Sequence, residues 1–148
     1  MVLKQPALFG ELIRGLQAPD PLVRMRAADA AEKASRKQPD LLRPFKRELM
    51  HLLEETGEQE LRWHLAQMVP RLPLTTKEGL RATAALRRYL ADRSSIVKTC
   101  TLQAIADLAA QDQSLLPETR ALLQDAVSSG TAAMRARGRK LLARFEAG

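Results

Sequence analysis

The amino-acid sequence predicts an all-α protein in which four pairs of helices stack as a solenoid. Its apolar residues are mainly Leu and Ala, and aromatic residues make up only 3% of the chain. This composition favours helices packed closely on helices over sheets. In addition, a hydrophobic residue followed by a cation recurs every 36 to 38 residues. The apolar residues around each recurrence have the spacing of one helix face.

Four segments align on this hydrophobic–cation pair, at 23–34, 61–72, 97–108 and 134–145. Apolar or small residues stand at offsets 0, 4, 7, 8 and 11 from the hydrophobic anchor in each segment. These offsets form a single stripe on a helix, so each segment is predicted to bury one face. A helical pattern precedes each of them, at 7–16, 45–55, 78–91 and 118–127. Four helix pairs joined by short loops therefore account for the chain.

Residues at the ends of these segments predict where helices begin and end. Asp20 followed by Pro21 predicts an N-cap with proline at the first helical position. Thr75 and Glu78 have the spacing of a capping box. Pro70 lies late in the second anchor segment, where it is predicted to kink the helix or end it early.

The stretch "DPLVRMRAADAA" at 20–31 resembles the turn and second helix of the HEAT-repeat family. The resemblance extends over the whole chain as one domain, 1–148, with repeats near 5–38, 39–74, 75–111 and 112–148. It implies a right-handed α-α superhelix whose second helices line a concave surface. In that family an aspartate six residues before the anchor cation typically pairs with it. Here only the third repeat keeps the aspartate; the four positions hold Ala18, Thr56, Asp92 and Ser129.

The four anchor cations are here called the cation ladder: Arg24, Arg62, Lys98 and Arg135. Each stands in the first turn of a second helix. Its stem can cover apolar surface while its head bonds carbonyl oxygens of the neighbouring loop. We interpret the ladder as structural, and a ligand-binding ladder is the alternative.

The composition also limits the cellular setting. The single cysteine, Cys100, excludes an intramolecular disulfide and suits a reducing compartment. No signal peptide is evident at the amino terminus, and no apolar run approaches the ~20 residues that a membrane-spanning helix needs. We expect a cytoplasmic protein that does not enter a membrane.

Enzyme motifs are absent from the sequence: it contains no P-loop, HExxH, CxxC or nucleophile elbow. Asp29 and Glu32 are carboxylates on one helix face, but nearby cations predict a solvated, self-paired surface. Cys100 has the same repeat offset as His64, so a Cys–His pair is conceivable, although a buried cysteine acting as a small hydrophobe is favoured. The sequence therefore predicts a protein with no catalytic site, metal or cofactor.

A basic end is the main charged feature. The chain has a net charge of +7, and its last nineteen residues carry five cations and one acid. These five cations form a candidate patch for binding nucleic acid or another polyanion. A solubilising cap on the terminal repeat is the favoured alternative. The patch residues are Arg135, Arg137, Arg139, Lys140 and Arg144.

The second helices supply a candidate binding surface. At the repeat position that faces away from the core, these helices carry Met25, Trp63 and Thr99, and Trp63 is the only tryptophan of the chain. Tryptophan and methionine are common at interaction hot spots, although Trp63 could instead tuck against a neighbouring repeat. We expect a non-catalytic scaffold that binds a protein partner along the concave face, with polyanion binding as the alternative and the oligomeric state open. The candidate surface comprises Met25, Arg26, Trp63, His64, Gln67, Thr99, Gln103 and Lys140.

Overall fold

The computed structural model describes residues 8–147, and in that range it contains eight α-helices and no strand. The all-α prediction is thus confirmed. Short 3₁₀ helices at Pro39–Phe45, Val69–Arg71 and Gln113–Leu115 join some of the helices. The α-helices are α1 (Phe9–Gly15), α2 (Pro21–Lys37), α3 (Lys46–Glu55), α4 (Gln59–Met68), α5 (Thr76–Tyr89), α6 (Ser95–Gln111), α7 (Leu116–Ser129) and α8 (Ala132–Ala147).

Each helix-forming segment predicted from the sequence overlaps one of these helices. The first predicted segment begins at residue 7, which lies outside the described residues. The N-cap of α2 is confirmed, since the Asp20 carboxylate accepts a hydrogen bond from the Leu22 amide at 2.9 Å. The Thr75–Glu78 capping box is also present at the start of α5. As predicted from Pro70, α4 ends at Met68, and a 3₁₀ turn follows.

The chain divides into two compact units, Met1–Pro73 and Leu74–Gly148. Each unit contains two of the predicted helix pairs, and the division falls beside the predicted boundary between the second and third repeats. The single 1–148 domain and the complete superhelix stay predictions.

Within each unit the two second helices run in the same direction. In the first unit, successive contacts advance along both chain segments: Arg24 meets Glu58, Asp29 meets His64, and Glu32 meets Arg71. In the second unit, Gln103 of α6 meets Arg137 of α8, and Asp107 meets Arg144. Parallel second helices are the arrangement expected when neighbouring helix pairs stack.

The predicted apolar stripe is completely buried on α6, and likewise on α4 with the 3₁₀ turn after it. All five stripe positions there are buried: Leu61, Leu65, Met68, Val69 and Leu72. The stripe of α2 departs from this, because Val23 is 44% exposed. It lies in the first turn of α2, four residues before Ala27, where Gly15 of α1 makes its close approach. Val23 therefore extends beyond the point at which α1 covers α2.

In the second unit the core joins α6, α7 and α8. Its buried members are Leu102, Ala106, Leu123, Ala126 and Leu141. Gly138 allows α8 to approach α7 closely, since a Cβ placed there would lie 2.9 Å from Val127 Cγ2 and 3.3 Å from the Leu123 carbonyl oxygen. The fourth repeat thus carries glycine at a core offset for a steric reason.

Candidate binding surface on α2 and α4

One face of α2 exposes apolar side chains to solvent in the first unit. Leu22 is 45% exposed and Met25 37% exposed, and Arg26 beside them is also exposed. Residues 22, 25, 26 and 29 lie on one side of a helix because they are three or four positions apart. Leu22 was not among the predicted surface residues, although its position three residues before Met25 could have indicated it. We call these residues, together with Trp63 and Gln67 of α4, the α2–α4 surface.

Trp63 is half-buried, and its ring is stacked on the ring of His64. The two ring centroids are 3.7 Å apart, and the planes meet at 28°. One face of the indole is therefore covered by the imidazole. Prediction from the sequence left open whether this tryptophan is exposed or tucked away, and its position is intermediate between those two.

His64 belongs beneath this surface rather than on it. Its exposed fraction is only 2%, which corrects its inclusion among the surface residues. The His64 Nδ1 lies 2.6 Å from the Glu60 carbonyl oxygen. A carbonyl oxygen can only accept, so Nδ1 carries the proton of this hydrogen bond. The bond fixes the orientation of the imidazole, which then supports the indole.

The other ring nitrogen of His64 faces α2. Nε2 lies 3.7 Å from Asp29 Oδ1 and is buried without a hydrogen-bond partner among the described residues. The second carboxylate oxygen of Asp29 pairs with Lys33 at 2.9 Å. The hydrogen bond from Lys33 is the main reason that the pKa of Asp29 lies below its ordinary value, with the Lys33 charge adding to it. Asp29 is therefore an ionised group that already has an internal partner.

A buried ionic cluster lies in the C-terminal half of α2, around Glu32. Glu32 is 2% exposed, so the predicted solvated surface at Asp29 and Glu32 is wrong for Glu32. Its carboxylate accepts hydrogen bonds from Arg36 at 2.5 Å and from Arg71 at 2.7 Å. Burial by itself raises the pKa of Glu32, but the bonds and charges of the two arginines outweigh it and leave the pKa below its ordinary value. Arg71 is 39 positions away in sequence, which no local pattern reveals.

Three members of the cation ladder donate to loop carbonyl oxygens. Arg24 reaches the Ala18 oxygen at 2.7 Å, Arg62 the Thr56 oxygen at 3.1 Å, and Arg135 the Gly130 oxygen at 2.8 Å. Arg24 also makes two hydrogen bonds to the Glu58 carboxylate, and this raises the pKa of Arg24. The fourth member, Lys98, is half-buried. These three cations thus have partners within their own unit, and Arg24 has an acidic one, Glu58.

The remaining predicted surface residues belong to the second unit. Thr99 and Gln103 are half-buried, and Lys140 is exposed. The Thr99 hydroxyl donates to the Ser95 carbonyl oxygen at 2.8 Å. Gln103 donates to the Asp107 carboxylate at 3.0 Å. These polar side chains are thus partly occupied within α6.

Two of the five cations in the basic patch are engaged between α6 and α8. Arg137 donates to the Gln103 side-chain oxygen at 2.8 Å, and Arg144 pairs with Asp107 at 2.8 Å. Arg139 and Lys140 are exposed on α8. Asp107 of α6 thus offsets part of the positive charge of α8.

A cleft of about 250 Å³ in the second unit is smaller than the ~300–1,000 Å³ of typical ligand pockets. It is lined in part by Thr75, Thr76 and Asp112. Hydrogen bonds from the side chain and backbone of Ser114 lower the pKa of Asp112, whose carboxylate caps the 3₁₀ helix there. Within residues 8–147, no cluster of three His, Cys, Asp or Glu side chains could hold a metal ion.

No protein-family model matches the chain, and neither a curated protein nor a solved structure shows significant similarity to it. The HEAT-repeat resemblance therefore depends on the repeat pattern alone. None of the helices in the described range is long and apolar enough to cross a membrane.

Proposed function

We propose that this protein is a non-catalytic scaffold with a HEAT-like repeat, and that it holds a segment of a partner protein on the α2–α4 surface. The observation that carries the proposal is an exposed apolar group, Leu22 and Met25, on the helix that packs beside Trp63. Binding hot spots are commonly formed by aromatic and Met side chains that become desolvated in a complex.

The support beneath Trp63 strengthens this interpretation. The stack on His64 and the Nδ1–H bond to Glu60 limit the orientations of the indole before any partner arrives. A side chain that is already ordered loses less conformational entropy on binding, about 0.5–1.5 kcal/mol less for a rotamer-rich group. The ordered indole of Trp63 on α4 and the flexible side chain of Met25 on α2 would offer a partner one fixed and one adaptable apolar contact.

Selection from a random peptide library displayed on phage tests this function. The wild-type protein and Met25→Glu are used as baits, with Leu80→Glu as the matched control. Leu80 is 51% exposed on α5, outside the α2–α4 surface, so its replacement introduces the same charge at a similarly exposed apolar position. We expect peptides to be enriched by the wild type and the control and lost with Met25→Glu. Equal enrichment by all three baits would contradict the proposal.

Polyanion binding by α8 is the second candidate, supported by the exposed Arg139 and Lys140. Its test is the fluorescence anisotropy of a labelled 20-base-pair DNA at 50 and 200 mM salt. Because each phosphate contact releases counterions, binding through several cations falls steeply with salt. Salt-sensitive binding that disappears in the Arg139→Glu/Lys140→Glu double variant would favour this function.

A further inference from the structure

The cations of α2 differ in whether they have a partner inside the first unit. Arg24 pairs with Glu58, Lys33 with Asp29, and Arg36 with Glu32. By contrast, the side chain of Arg26 makes no hydrogen bond or ion pair with any residue that the structure describes, and it is exposed. Lys37, at the last position of α2, is also exposed and has no partner in the described range.

The position of Arg26 distinguishes it from Lys37. Arg26 lies next to Met25 and four residues after Leu22. Its side chain therefore projects from the same face of α2 as these exposed apolar side chains. Lys37 is eleven residues further along, or about 16 Å at the rise of an α-helix. The acid that shares this face of α2 with Arg26 is Asp29, whose charge is already balanced by Lys33. Among the described residues of α2, Arg26 is therefore the cation without an acidic partner next to the exposed apolar side chains.

We propose that the segment bound on this surface is acidic and amphipathic: a bulky apolar side chain packs on Met25 and Trp63, and a carboxylate pairs with Arg26. This inference rests on the proposed function and specifies the chemistry of the partner. An arginine guanidinium can hold a carboxylate through two parallel hydrogen bonds, which gives orientation as well as affinity. In a helical segment, residues three, four or seven positions apart share one face, so an acid and an apolar residue with that spacing could reach Arg26 and Met25 together.

The same arrangement disfavours a nucleic acid on this surface. Phosphate backbones are bound by several cations in a row, each of which neutralises one phosphate. Here the neighbouring cations Arg24 and Arg62 already have internal partners, and Asp29 shares the face of α2 that carries Arg26, where it would repel phosphates. A single cation at the edge of an apolar patch matches a protein segment with isolated acidic residues.

The test uses the full chain in three further phage selections. The wild type is compared with Arg26→Glu and with Lys37→Glu, which makes the same charge reversal on the same helix away from the apolar side chains. We expect the wild type and Lys37→Glu to enrich peptides with Asp or Glu near a large apolar residue. Arg26→Glu is expected to lose this acidic bias and to enrich Lys or Arg at the same distance from the apolar residue.

A peptide enriched by the wild type is then synthesised and titrated against each protein by fluorescence anisotropy. Because a charge-assisted hydrogen bond is lost and a like charge takes its place, Arg26→Glu is expected to weaken binding at least roughly tenfold. A peptide in which the critical acid is replaced by lysine should recover most of that loss. Circular dichroism and thermal melting of each variant establish that the fold is retained.

The two proposals fail in different ways. If Met25→Glu abolishes enrichment but Arg26→Glu enriches the same peptides with the same affinity as the wild type, the acidic-partner inference is wrong and the scaffold function stands. If no bait enriches peptides, or enrichment is insensitive to Met25→Glu, both are wrong. Concentration-dependent dimerisation that Met25→Glu abolishes would assign the surface to a second copy of this chain and also overturn the inference.

Discussion

Replacing Arg71 with methionine is expected to destabilise the first unit by leaving the buried Glu32 carboxylate with one cation. Arg71 donates to Glu32 Oε2 at 2.7 Å, to the Glu32 carbonyl oxygen at 2.9 Å and to the Ser35 hydroxyl at 2.9 Å. The remaining cation, Arg36, has a side chain that is 61% exposed, while that of Glu32 is only 3% exposed. The carboxylate would stay desolvated but lose its better-buried partner.

Breaking a buried ion pair by removing one partner typically costs about 3–5 kcal/mol. Because Arg36 still bonds Glu32, we expect the Arg71→Met loss to lie near the lower limit, about 3 kcal/mol. Urea unfolding gives the free energy of unfolding, and Trp63, the only tryptophan, reports on the first unit by its fluorescence. A loss below about 1 kcal/mol, the range of an exposed salt bridge, would refute the reasoning.

The Glu32→Met/Arg71→Met double variant provides an internal check. Replacement of both buried charges by apolar side chains is often neutral or stabilising. The double variant should therefore be more stable than Arg71→Met alone, although it lacks one more polar group. A double variant that is less stable than the single one would show that packing or the Ser35 contact, rather than the unpaired charge, determines the loss.

Three further predictions concern other parts of the chain. The pKa of Glu32 is lower in the folded state than in the unfolded state, where it is about 4.3. Its stabilising contribution is therefore present above the unfolded pKa and is lost as the pH falls through the folded pKa. The free energy of unfolding in urea, measured at a series of acidic pH values, should show this loss in the wild type and less of it in Glu32→Gln. Gly138→Ala should lower the melting temperature of the second unit, because overpacking against Val127 costs about 1–3 kcal/mol, while the higher helix propensity of alanine returns only about 1 kcal/mol. Gly57→Ala is the control, since a Cβ at that position meets nothing within 4 Å. This control should be neutral or slightly stabilising. Asp20→Ala removes the N-cap of α2 and should lower the free energy of unfolding by about 0.5–2 kcal/mol in the same urea assay, and no change would mean that Leu22 keeps its bond through water.

Local patterns were sufficient to locate the helices because their causes are local. The Asp20 cap and the Thr75–Glu78 box each depend on residues within one turn, and both are present in the structure. Pro70 ended α4 as expected, since the loss of its amide acts on the preceding turn alone. The candidate surface was predicted from a local pattern as well, since Met25 and Trp63 share a repeat offset, and it stays a prediction.

Burial and pairing could not be predicted in this way, because they depend on which segments meet. Glu32 has the helical spacing of a surface residue, yet Arg71 from the next helix pair covers it. His64 was placed on the surface by its neighbour Trp63, yet it is buried beneath that ring. Val23 shares the core offset of Leu61, but it lies in the part of α2 that extends beyond α1, and so it is exposed.

The all-α class, the positions of the helices, and the helix ends set by caps and proline could be predicted from the sequence, because they follow from periodicity and from bonds between near neighbours. Which polar groups are buried, and which cations have internal partners, became visible with the packing of the helices. An ion pair such as Arg24–Glu58 forms across 34 positions of sequence, and its existence depends on the packing of two helix pairs. For the same reason, only the structure could reveal that Arg26, unlike Arg24, Lys33 and Arg36 of α2, has no acidic partner within residues 8–147.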